Sequence, residues 1–67
     1  MSIQDARALL ATIDYRQLRT LRNVQAGVSV RRRDLSPLAW GGFITRDNAL
    51  SAQAVEMLTA LDEGAPQ

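Results

Sequence analysis

The stretch from Arg31 to Leu61, RRRDLSPLAWGGFITRDNALSAQAVEMLTAL, narrows what this chain can fold into more than any other part of it. Asp34 and Ser51 are residue types that cap helix N-termini by accepting the free N–H groups of a first turn. Gly41-Gly42 stops whatever precedes it, and Pro37 is tolerated only near a helix start. These signals define a short helix over about 35–41, capped by Asp34, with Leu35 and Leu38 facing inward. Had that helix begun before Arg31, Pro37 would break it. Phe43-Ile44-Thr45-Arg46 then has strand propensity, and Asp47-Asn48 suits a tight turn needing positive φ. Ala49-Leu50 would return the chain as the second arm of a short β-hairpin. Ser51 starts a closing helix with Ala54, Val55, Leu58 and Leu61 as its apolar stripe. Leu50 and Val55 have staple spacing across its start, and Gly64 ends it.

The first half reads as two more helices. Ser2 caps a helix over about 3–12, in which Ile3, Ala6, Leu9, Leu10 and Ile13 recur at helical spacing. Asp14 caps a second, running to about Gln25, with Gln17 placed for a capping box and Gly27 for a left-handed stop. One unbroken helix over 3–26 is the alternative. Leu18, Leu21 and Val24 face inward. Arg16, Arg19 and Asn23 share an outer face with Arg22 at its edge. Val28-Ser29-Val30 reads as a short extended piece.

At 67 residues the chain has room for one domain, residues 1–64, with 65–67 as a frayed tail. It has a single Trp, a single Tyr, a single Phe and no Cys or His, so neither disulfide nor zinc staples it. Trp40 is therefore expected to be the main core aromatic, with Tyr15 at a partly buried core edge. Without His, Cys or Lys, the commonest general base, thiol nucleophile and Schiff-base amine are missing, so an enzyme is not expected. No metal-ligand cluster, cofactor motif or phosphate loop is evident. No run is apolar enough to cross a membrane, and Asp5, Arg7 and Asp14 interrupt any signal-like start. A cytoplasmic location is expected.

Net charge is only +1, yet the distribution is uneven. Arg16, Arg19, Arg22, Arg31, Arg32 and Arg33 run without an intervening acid, whereas Asp47, Glu56, Asp62 and Glu63 follow Arg46. A basic middle and acidic end give a directed surface potential. Adjacent guanidinium groups at a helix entrance suit phosphate oxygens, with the first turn's N–H groups helping. A solvated loop run accounts for the triplet equally well.

The order helix, helix, connector, short helix, hairpin, helix resembles that of winged helix-turn-helix domains of small phage and bacterial regulators. RRDLSPLAWGGFI resembles a recognition helix ending at Gly and entering the first wing strand. ITRDNALSAQAVEML resembles the wing and closing helix, so the likeness covers residues 32–58. It implies an α+β, mainly α fold with three or four short helices and one hairpin wing. It also implies a DNA-binding regulator. The residues placed to contact duplex DNA are Arg31, Arg32, Arg33 and Ser36, with Arg16 and Arg19 extending the patch and Arg46 reaching a minor groove from the wing, although an ordinary helix surface accounts for Arg16 and Arg19, and a simple turn charge for Arg46, somewhat better. A homodimer is expected, because one short module buries little surface on DNA. The third helix offers few polar groups for reading bases, since its exposed positions are Ser36, Ala39 and Trp40 or Gly41. That shortage favours the alternative of a protein-binding module, such as a phage-encoded inhibitor or adaptor on a larger host protein; a subunit of a larger assembly is a further alternative.

Overall fold

The computed structural model describes residues 1–64, which form four helices: α1 (Ile3–Leu10), α2 (Tyr15–Gln25), α3 (Arg32–Trp40) and α4 (Ala52–Glu63). The frayed tail expected at 65–67 lies outside the described residues. None of these helices is long and apolar enough to cross a membrane.

Local chemistry explains most helix boundaries. The Ser2 hydroxyl accepts from the Asp5 N–H at the start of α1. At α2 the capping box is complete: the Asp14 carboxylate accepts from the Gln17 N–H at 2.8 Å, and Gln17 Oε1 accepts from the Asp14 N–H at 3.0 Å. The cap separates α1 from α2, so the unbroken 3–26 helix does not form. Gly27 follows α2 at φ 79°. The Val28 N–H reaches the Asn23 carbonyl and the Gly27 N–H the Val24 carbonyl, the paired bonds of a Schellman stop.

The same device ends α3. Gly42 sits at φ 82°, the Gly42 N–H bonds the Ala39 carbonyl, and the Phe43 N–H bonds the Leu38 carbonyl. Leu38 and Phe43, the two residues that a Schellman motif brings together, are both buried. Ser51 ties this corner to α4. Its Oγ donates to the Gly42 carbonyl at 2.6 Å and accepts from the Ala54 N–H at 3.2 Å, while its N–H donates to the Phe43 carbonyl.

The expected α+β winged fold does not form. The domain is a small, mainly α bundle of four helices, and residues 43–50 hold no strand, only one antiparallel bridge between Ile44 and Leu50. A strand would send Phe43 and Ile44 to opposite faces, but both are buried in the one core. The segment is a closed loop instead. The Thr45 N–H donates to the Ala49 carbonyl, the Asn48 N–H to the Thr45 carbonyl, and Asn48 takes the anticipated positive φ at 60°. Val28-Ser29-Val30 likewise joins no strand.

α3 also differs in register. It begins at Arg32 with Arg31 at its cap position and no side-chain cap, so Asp34 lies inside the first turn and Pro37 at the sixth helical residue. An acid is favourable in a first turn as well as at a cap, so both registers satisfy Asp34. Pro37 leaves the Arg33 carbonyl without its helical donor, and both residues are exposed to solvent that can supply one.

α1 packs on α4 and α2 on α3. Leu21, Leu38, Met57 and Leu58 are the largest fully buried side chains, joined by Ala6, Leu35, Phe43, Ile44, Ala54 and Ala60. Met57 takes an inward place on α4 that spacing had given to Val55, which is 45% exposed. Trp40 is not core at all: it is 89% exposed, and Tyr15 is 80% exposed. Phe43 is the buried aromatic in their place.

Candidate functional site

Helical geometry makes α3 two-sided. Leu35 and Leu38 point into the core. Arg33, Ser36 and Trp40 lie within about 60° of one another on the side opposite Leu38, given roughly 100° per residue. All three are exposed, as are Arg32, Pro37 and Ala39. Trp40 is the last residue of α3, and the Schellman corner after it holds the backbone beneath the indole.

Two clefts flank this face. In the first, Arg33, Asp34 and Pro37 of α3 meet Asp14, Arg16, Gln17 and Thr20 from the start of α2. It brings two of the expected site arginines, Arg16 and Arg33, together. It also contains two carboxylates, so its formal charge cancels. The Asp14 carboxylate is already engaged in the α2 cap, and the Thr20 hydroxyl donates to the Arg16 carbonyl. The second cleft is formed by Ser36, Ala39 and Trp40 of α3 with Arg46 from the 43–50 loop. It has one guanidinium and no acid.

Of the remaining expected residues, Arg31 and Arg32 are exposed at the start of α3, beside Arg33. Arg19 is exposed on α2 one turn after Arg16 but lines neither cleft. Arg22 leaves the basic set. Its guanidinium donates to both Asp62 carboxylate oxygens, at 2.6 and 3.0 Å, and to Gln25 Oε1 at 3.1 Å. Those hydrogen bonds hold the Asp62 carboxyl below its ordinary value, the nearby positive charge adding to the effect and partial desolvation opposing it. Among the described residues this is the one salt bridge, and Arg16, Arg19, Arg31, Arg32, Arg33 and Arg46 join none.

Helical spacing already pointed Trp40 outward. It falls two residues after the inward Leu38, about 200° around the helix, which is the outward side. Aromatic scarcity had argued for a core role, but Phe43 fills the space next to the Gly41 backbone, its ring lying 3.1 Å from where a Cβ on Gly41 would stand. Comparison with protein-family models, curated proteins and solved structures finds no match to this chain.

Proposed function

We propose that this protein is a nucleic-acid-binding module whose contact surface is the outward face of α3 with its flanking arginines. Arg31, Arg32 and Arg33 hold phosphates at the start of the helix. Arg16 adds to them from α2, and Arg46 from the loop beyond its end. The observation that carries this reading is the pairing, along one helix face, of exposed arginines that join no salt bridge among the described residues with an indole 89% open to solvent. Guanidinium groups bind phosphate in a planar fork, and an aromatic face suits a base. The Arg-dense start of α3 also sits at the positive end of the helix dipole, where cations are unfavourable and an anion offsets them. The role is binding rather than catalysis, given a chain without His, Cys or Lys.

A second reading is a protein-binding module on an acidic partner. Trp and Arg dominate the energetics of protein interfaces, and the small residues beside Trp40 leave the indole free to enter a partner's pocket. A low-salt titration of labelled duplex and single-stranded oligonucleotides separates the two. The wild type binds nucleic acid, the variant with Arg31, Arg32 and Arg33 all changed to Ala binds far more weakly, and its circular dichroism is unaltered. Arg7→Ala, on α1, retains wild-type binding. No binding of either nucleic acid by the wild type at low salt removes the nucleic-acid reading.

A further inference from the structure

We propose that the Trp40 cleft receives an unpaired nucleobase, so that the preferred ligand is a single strand rather than a duplex. This rests on the nucleic-acid reading and specifies its ligand. Trp40 stands at a hydrogen-bonded corner, between the end of α3 and a Schellman turn anchored by buried Phe43, yet the residue is 89% exposed. Ser36 and Ala39, the other α3 residues of the cleft, are small and leave the ring face approachable. Arg46 lines the open cleft with a planar cation that can stack on a base or pair with the adjacent phosphate. No carboxylate lines this cleft to repel a phosphate. Seven residues earlier on the same face stands Arg33, about 10 Å along the helix axis. A single strand can run that distance with its phosphates at the arginines and one base on the indole.

A duplex fits this surface less well. Paired and stacked bases hide their faces and present edges, which are read by Arg, Lys, Asn, Gln, Glu or Asp side chains in the major groove. Between Arg33 and Trp40 the exposed face of α3 offers Ser36, Pro37 and Ala39. One hydroxyl is little for edge reading. Stacking on an aromatic needs no edge chemistry and accepts any base.

Trp40 is the sole Trp, so its fluorescence reports the cleft directly. The full chain is titrated at low salt with oligothymidylate, oligouridylate and a random duplex of equal length. Both single strands are expected to quench the emission and to bind more tightly than the duplex, their ratio showing whether the 2′-hydroxyl contributes. Trp40→Ala, which has no indole and is followed by the anisotropy of labelled oligonucleotides alongside the wild type, should weaken single-strand binding by roughly 5- to 150-fold, the span of base–aromatic stacking, and leave duplex affinity nearly unchanged. Trp40→Phe, which keeps an aromatic face and folds in either case, should recover part of the loss. Duplex binding as tight as single-strand binding, or single-strand binding indifferent to Trp40→Ala, overturns the stacking proposal and leaves the nucleic-acid reading standing. No binding of any of the three overturns both.

Discussion

Trp40 and Leu38 stand two residues apart on α3 and have opposite fates, one 89% exposed and the other fully buried. Their truncations should differ accordingly. Trp40→Ala removes a side chain that excludes little water and should change stability by no more than about 0.5 kcal/mol. Leu38→Ala opens a cavity in the core and should cost about 2–5 kcal/mol, which a domain this small barely survives. Urea unfolding followed by circular dichroism measures both. A loss of several kcal/mol at Trp40 would put the indole back in the core and take away the binding face. The helical angle from Leu38 made the exposure legible. What hid it was the expectation that a chain with three aromatics buries the largest, and Phe43, placed by the corner after α3, does that work instead.

Elements whose signals are local were read well: the Ser2, Asp14 and Ser51 caps and the Gly27 stop each depend on a few neighbouring residues. Elements that depend on the rest of the fold were not. Whether residues 43–50 pair as strands is decided by the core, which takes Phe43 and Ile44 side by side and so breaks strand alternation. The start of α3 was ambiguous because Asp34 is satisfied at a cap or in a first turn. That register matters to function, since it puts Arg31 at the cap position and Arg32 and Arg33 in the first turn, against the helix dipole. Arg32→Glu should therefore act in opposite directions. It should raise stability by about 0.3–1 kcal/mol, because an acid suits that end of the helix, and it should sharply weaken nucleic-acid binding. Parallel unfolding and binding titrations check it. A variant that loses stability would mean α3 does not begin where it is drawn.

Across the whole molecule, Arg22 and Asp62 tie α2 to the end of α4, forty positions apart in sequence. No local signal pairs them, so a reading that counted Arg22 in the acid-free run of arginines and set it at the edge of the α2 outer face could not foresee its ion pair. Asp62 is held below its ordinary carboxyl value in the folded state, so the tie stabilises the fold above the unfolded-state value. That contribution is lost as pH falls through the lower folded-state value. Urea midpoints measured against pH should show Asp62→Asn below wild type near neutrality, with the two converging in acid. Curves that stay parallel would mean the pair does not form in solution. The partition of charge left by this tie, with the other arginines around α2, α3 and the loop in no salt bridge among the described residues, underlies the proposed binding face.

The salt dependence of nucleic-acid affinity tests that face most directly, because each phosphate contact adds a fixed increment to the slope of log affinity against log salt. Replacing Arg31, Arg32 and Arg33 together by Ala should flatten the slope by as much as about 2.1 on a single strand or 2.7 on a duplex, if each contacts one phosphate. The fold should be unchanged, since these three side chains are exposed. Equal slopes for wild type and the triple variant would contradict the account, because the arginines at the start of α3 would then hold no phosphate.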